Sequence, residues 1–586
     1  MPFLITVITA LFLLANGATA GWDHIGPHGG LISVVVEDKA GNIYIGTEGS
    51  GVFKSSDGGE AWVSASSGLH NPFVSTMAVT KDEILAGTRG GLFKSGDMGR
   101  NWQLVTTLPP GLLVSYIMVD KNGTIYVAIW GSGVYKSKDG GATWEVLKEN
   151  LSSPFVNSIA IDSSGDLYAA TEGGVFKSKG GGPDWVQVGL IENIVTALVI
   201  DEKGAIYAGT WRDGAFKSKD GGATWDNIGK GLNPYIKTFF VGRDGVIYAG
   251  AEEGVFSLQP GATSWKSIGL SGVLIRSVVV IGGKVYAGSH GKGLYINSSG
   301  VWTQENVGIT NYEVLSIAID SDGRLYAGTS WGLFKLVPAI FKQGRDKGGR
   351  WEEIEEHAGR RIQVVFIDNT NIYVGTPSGL FNAPSRGRGW TRVKGGVGVL
   401  NITTIIKDGR GNLYVGTDGE GVFMSKGDSW KPLNEGLTSQ RVSSLVMDTD
   451  GNIYAGTYSG VFKLTGDRAR WGEAGMKGMV VQSLTITKDG NLYAGTDGHG
   501  VFILGKDGWR VINEGLKDMR VFSVAADSKG NLYAGTRQGI FFKKGDGAIW
   551  EDISSGLINV TVQTVMVAKD DKVYIGTWGA GVCRRR

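Results

Sequence analysis

Fourteen copies of a unit of about 40 residues, four short strand-like runs in each copy, and glycine at nearly one residue in six predict an all-β chain. The expected architecture is two tandem seven-bladed β-propellers. The phrase "IYIGTEGSGVFKSSDGGEAW" returns as "IYVAIWGSGVYKSKDGGATW" and "IYAGTWRDGAFKSKDGGATW". Its anchoring aromatic stands at Tyr44, Tyr126, Tyr168, Tyr207, Tyr248 and Tyr286, with Leu85 in its place once. It continues at Tyr326, Tyr373, Tyr414, Tyr454, Tyr493, Tyr533 and Tyr574. The one long step, 326 to 373, carries an insertion around Val337–Arg350.

Within a unit, "VSSLVMD", "NIYAGT" and "GVFKL" read as the first three strands, and the fourth starts at a tryptophan, as in "TWEVL". Asp-x-x-Gly-Asn, Gly and Asp-Gly-Gly separate them, the residue types that tight turns need. No apolar periodicity of 3.6 lasts long enough for a helix. A twisted four-stranded sheet can bury its faces only against neighbouring copies, so such repeats stack as blades.

Counting strands predicts how the rings close. A tryptophan-led strand, Trp22-Asp23-His24-Ile25, precedes the first full unit, and the last unit ends at Val582-Cys583 without a fourth strand. A ring of fourteen would leave a wide, poorly packed channel, so the units divide seven and seven, with six and eight as the alternative. Each ring is expected to close with an N-terminal outer strand, Trp22 opening the first and Trp302 the second. The expected segments are 1–20 as signal peptide, 21–299 as the first propeller and 300–586 as the second.

Composition narrows the function classes. The 58 basic and 56 acidic residues leave a formal charge of +2, and no basic stripe offers the footprint of a nucleic-acid partner. Phe3 to Ala15 is apolar, and Ala18-Thr19-Ala20 supplies a small-x-small cleavage pattern before Gly21, so export is expected, to the periplasm or beyond. That run is short for a membrane span, and no later segment approaches eighteen apolar residues, so no membrane insertion is expected after cleavage. The single Cys583 replaces an aromatic of other copies and reads as a small buried hydrophobe. Six histidines show no ligand spacing, and the Gly-x-Gly sequences are turns, so neither metal nor cofactor is expected.

The turn before the fourth strand carries a resemblance. Ser55-x-Asp57-Gly-Gly-x-x-Trp62 recurs as Ser95, Asp97 and Trp102, as Ser137, Asp139 and Trp144, and as Ser218, Asp220 and Trp225. This resembles the Asp-box, or bacterial neuraminidase repeat, of sialidases, xyloglucanases, sortilin-type receptors and photosystem II assembly factors. The later copies "DSDGRLYAGTSWGLFKL" and "DTDGNIYAGTYSGVFKL" are also similar to the sensor propellers of two-component regulators. The resemblance implies blade architecture and says little about activity. The Asp can accept hydrogen bonds from its own turn and the Trp can wedge between blades, so these residues are structural.

Function is expected in the loops between second and third strands, which the resemblance places at the ligand-binding end of a propeller. They collect Trp130, Trp211 with Arg212, Trp331, Tyr458 and Trp578, none of them a blade-packing residue. Aromatic faces among charges suit stacking on sugar rings or anchoring a peptide. The first expectation is therefore an exported carbohydrate binder, and the second a scaffold for an exported protein partner. The third is a xyloglucanase-like hydrolase acting between the propellers. Hydrolysis needs two carboxylates across the bond. The resemblance to xyloglucanases implies one in the first blade, where Thr47-Glu48-Gly49-Ser50-Gly51 has Glu for Asp, and a partner early in the second propeller. Thr329-Ser330-Trp331-Gly332 there carries none, while Asp418 and Asp497 sit in later blades.

Overall fold

The computed structural model describes residues 22–26, 29–109, 111–304, 306, 310–337, 350–368, 370–384, 389–427, 429–465, 470–545, 547–557 and 561–585. The expected leader 1–20 and most of the 337–350 insertion lie outside them. Among the described residues the sheets are fourteen four-stranded antiparallel blades, plus one short parallel pair, Gly29–Gly30 with Thr310–Asn311. Blades are numbered here in chain order, from blade 1 (Ile32–Glu37, Ile43–Thr47, Gly51–Ser55 and Val63–Ser64) to blade 14, which starts at Val562–Val567.

The repeated phrase Tyr-x-Gly-Thr is explained residue by residue. The tyrosine hydroxyl donates to the aspartate that caps the preceding turn, as from Tyr44 to Asp38 at 3.0 Å and from Tyr207 to Asp201 at 3.2 Å. Blade 2, which has Leu85 for the tyrosine, has Thr80 for that aspartate. The glycine faces the first strand of the next blade, where a Cβ on Gly46 would lie 2.6 Å from Val74 and one on Gly416 2.7 Å from Val442. The threonine hydroxyl closes the following loop, as from Thr47 to the Gly51 carbonyl at 2.9 Å.

In most blades the tryptophan indole N–H donates to a carbonyl of the preceding blade, while Trp62 and Trp144 donate to Gly59 and Gly141 of their own turns. Trp102 reaches Ala65 at 2.7 Å, Trp225 reaches Val188 at 3.0 Å and Trp550 reaches Ile512 at 2.6 Å. Trp62 and Trp102 are almost fully buried, and truncating one should cost about 3–5 kcal/mol. In the box turns Ser55 Oγ donates to Asp57 at 2.7 Å, and the Ala61 N–H donates to the same carboxylate at 3.0 Å. Such hydrogen bonds hold Asp97, Asp139 and Asp220 down at about 2.

First strands of successive blades pack side by side around each axis, and the contacts close into two circuits. Blade 7 lies against blade 1, and blade 8 against blade 14, so the division is seven and seven. The closure differs from the sequence expectation. Val301–Gln304 does not open the second ring. It turns back through Ser299 and Gly300 and pairs with Leu294–Ser298 as the fourth strand of blade 7, so the expected boundary at 299/300 falls within that hairpin. Blade 7 is thus complete and offers no open edge to Trp22–Gly26. Blade 14 does, and the N-terminal strand pairs there, Trp22 opposite Arg585 and His24 opposite Cys583. The Trp22 indole donates to the Ile553 carbonyl of blade 13 at 2.8 Å. The first ring closes by packing alone, with the Tyr286 hydroxyl of blade 7 donating to Gly58 of blade 1 at 2.9 Å. Its chain is an insertion between the first strand of the second ring and the rest of it.

Candidate ligand-binding face

Most second strands end in a loop whose first N–H is held by the residue just before a first strand. Glu48 N–H donates to Leu31 at 3.2 Å, Trp130 to Leu113 at 2.9 Å, Trp211 to Ile194 at 3.0 Å and His290 to Leu274 at 2.9 Å. Each blade therefore presents a pair at the rim of its channel. In the first ring the strand-leading members are Leu31, Phe73, Leu113, Phe155, Ile194, Tyr235 and Leu274, all apolar or aromatic. In the second they are Glu313, Arg361, Asn401, Arg441, Val480, Arg520 and Thr561.

Two residues further along, nearly every first strand carries a β-bulge, as between Ile32 and Val34. The extra residue in the first ring is Ser33, Ser75, Ser115, Asn157 or Thr196 in blades 1 to 5. These side chains latch onto the next blade, Ser115 donating to the Val156 carbonyl at 2.6 Å and Thr196 to Ile236 at 2.7 Å. In blades 6 and 7 the same position holds Lys237 and Arg276. All seven bulge residues line a cavity of about 440 Å³ at the first ring's axis, together with Trp130. The residues lining it include no carboxylate.

The two cations organise the rim around them. Lys237 Nζ stands 3.5 Å from the centre of the Trp211 ring and 3.7 Å from Glu252. Arg276 pairs with Glu48 at 2.7 Å, and the other oxygen of Glu48 takes Arg89 at 3.1 Å. Burial depresses the Lys237 pKa below the usual lysine range, and the charge of Arg276 adds to that. His290 is depressed by burial and by Arg276 as well.

Of the residues expected from the sequence, Trp130, Trp211 and Glu48 come together at this mouth. Trp130 packs on Phe155 with ring centres 5.3 Å apart, and Trp211 meets Tyr235 edge-on at 6.0 Å while staying 39% exposed. Arg212 is exposed on the same loop. Trp331 and Trp578 stand elsewhere, where the loops of blades 1 and 7 meet those of blades 8 and 14. There Trp331 meets His290 at 4.7 Å, Trp578 meets Phe73 at 6.1 Å, the Tyr312 hydroxyl donates to Gly291 at 2.7 Å and Ser50 Oγ donates to Gly579. Tyr458 lies in the second ring under Arg441, whose guanidinium is 4.0 Å from the ring centre and 2.6 Å from Asp418. Asp497 pairs with Arg520 at 2.8 Å. The carboxylates the sequence offers for hydrolysis thus belong to blades 1, 10 and 12, each held by its own arginine. Sequence reading missed Lys237 and Arg276. The signal was there, since aligning the first strands puts Ser, Asn or Thr at that position in the five preceding blades.

The model of the two-component regulator propeller family matches residues 436–459 of the chain. No curated protein matches the sequence. Among solved structures, the chain is similar to an ancestral GH74 enzyme at 16% identity and a TM-score of 0.77, covering 97% of this chain and 99% of the other. A GH74 enzyme of Niastella koreensis matches at 15% identity and 0.70, with 97% and 99% covered. PorZ, an essential surface component of the type-IX secretion system of Porphyromonas gingivalis, matches at 16% and 0.62, with 96% and 86% covered. At these identities the likeness establishes the double-propeller fold and no activity. No helix among the described residues is long and apolar enough to cross a membrane.

Proposed function

We propose that the protein is exported through its leader and binds carbohydrate, without cleaving it, at the mouth of the first ring's channel. The observation that carries this reading is Trp130 lining a cavity of about 440 Å³ and the exposed Trp211 at its rim, beside the apolar residues that lead the first strands. Apolar faces stack on the C–H faces of sugar rings. Ser33, Ser115 and Thr196 donate their hydroxyl hydrogens to backbone carbonyls, which leaves oxygen lone pairs to accept from sugar hydroxyls. At this mouth Glu48 is held by Arg276 and Arg89 and Glu252 lies beside Lys237, pairings that favour binding over hydrolysis.

The test is binding of the mature protein to a broad oligosaccharide and polysaccharide array, repeated with Trp130→Ala and Trp211→Ala. Retention of a sugar by the parent and its loss in both variants, with unchanged melting curves, is the expected result. A blank array would overturn the reading, and so would binding that both variants leave intact.

A further inference from the structure

We propose that the glycan is acidic, and that one of its carboxylates docks between Lys237 and Arg276 on the blade 6 and blade 7 side of the first ring's mouth. This rests on the carbohydrate reading above and names its ligand class. The charge distribution carries the argument. The cavity is lined by two cations and no carboxylate. The nearest acids, Glu48 and Glu252, sit at the rim, and they face three cations, because Arg89 shares Glu48 with Arg276. Within this ion-paired group one positive charge is left over, and the third rim acid, Glu172 of blade 4, is exposed and forms no ion pair with it among the described residues.

Lys237 is the least compensated of the three. Its side chain is only 12% exposed, its carboxylate partner is 3.7 Å away, and an aromatic face takes the remaining contact. Burial lowers the Lys237 pKa, and the charge of Arg276 adds to that while Glu252 opposes it. A largely buried ammonium whose counter-ion stands 3.7 Å away is costly to keep, and an arriving carboxylate relieves that cost through charge-assisted hydrogen bonds. Arginine at the adjacent position offers a second donor set in fork geometry. A sugar acid also matches the surroundings better than a peptide terminus does. The rim N–H groups of blades 1, 3, 5 and 7 are already bonded within the rim, so an extended peptide finds few main-chain partners there. The hydroxyl-lined throat and the Trp130 face remain available to the ring that carries the carboxylate.

The experiment measures affinity by calorimetry for short oligosaccharides containing galacturonate or glucuronate, each compared with its carboxyl-reduced twin of identical linkage. Wild type is expected to bind an acidic member at least about tenfold more tightly than its twin. Lys237→Met should abolish the preference for the acid over its twin. Arg276→Gln serves as the second variant, because Lys237 also covers Trp211 and its loss could disturb that ring. Equal affinity for acid and twin would overturn the acidic assignment and leave the carbohydrate reading standing. An acid preference that survives in both folded variants would overturn the docking site. No binding to either series, with capture of a peptide by its carboxyl terminus instead, would overturn both readings.

Discussion

The two rings share a blade, a phrase and a count, and they differ in closure and in rim. The first ring closes by packing and leads its strands into the mouth with apolar residues, so its channel opens between aromatic side chains and the cations Lys237 and Arg276. The second needs a strand from the far end of the chain, and its rim acids are occupied by arginines, Asp418 by Arg441 and Asp497 by Arg520. A propeller fold therefore says nothing about where a ligand goes. The difference lies in two positions per blade, the residue before the first strand and the bulge two residues after it.

Closure gives the largest expected effect. Trp22 is buried and completes blade 14, whereas Trp302 is half-exposed and ends a blade that is already part of a closed circuit. Trp22→Ala should cost about 3–5 kcal/mol, all of it in the second ring, and Trp302→Ala less, in the first. Urea unfolding followed by limited proteolysis separates the two, because the Trp22 variant should release the second ring to protease while a first-ring fragment survives. Simultaneous loss of both rings in that variant would show that the corner where blades 1, 7, 8 and 14 meet couples them into one unit.

Acid should separate the rings next. His357 is fully buried between the edges of Phe381 and Trp390, and neither of its nitrogens has a hydrogen-bond partner among the described residues. Burial lowers its pKa to about 4 from an ordinary 6.5. The unfolded chain takes up this proton first, so second-ring stability is full above about 6.5 and falls as pH drops toward 4. The gap corresponds to a loss of about 3 kcal/mol at most. His290 in the first ring shifts the same way but is partly open to water. The Asp97, Asp139 and Asp220 turns of the first ring hold until pH falls below about 4 and lose their contribution on the way to 2. His357→Phe should flatten the second ring's urea midpoint between pH 6.5 and 4. An unchanged slope would place its acid sensitivity in another group.

Much of this was legible in the sequence because it is local. Tyr, Gly, Thr and Trp each perform their task within one blade or against the next, so their repetition counted the blades correctly. Closure was not legible. Trp22 and Trp302 lead similar strands, and only the open edge of blade 14, more than five hundred residues away from Trp22, decides between them. Trp130 and Trp211 stood out against glycine-rich loops, and the structure puts them at one mouth. Trp331 and Trp578 stood out equally, yet they sit where the two rings touch, a contact that no local pattern encodes. Lys237 and Arg276 escaped notice because a charged residue inside a strand reads as solvent-facing until the bulge turns it into the channel.

The mouth itself gives a smaller effect than closure or acid. Trp211→Ala removes a face and the support of Lys237 together, and it should weaken glycan binding about tenfold. Tyr458→Ala, its counterpart on the second ring, should leave binding unchanged in the same calorimetric titration. The smallest effect comes from making one rim imitate the other. Arg441→Leu gives the second ring a leader of the first-ring type and releases Asp418. Because that pair is exposed at the rim, the variant should melt close to the parent and bind no sugar at the second ring. An apolar leader is only half of the first ring's mouth, and the bulge positions beneath Arg441 still carry Thr403 and Ser443, whose hydroxyls latch onto Val442 and Val481 and bring no charge. If Arg441→Leu alone created a second sugar site, the rim would outweigh the throat, and the role given to Lys237 and Arg276 would have to shrink.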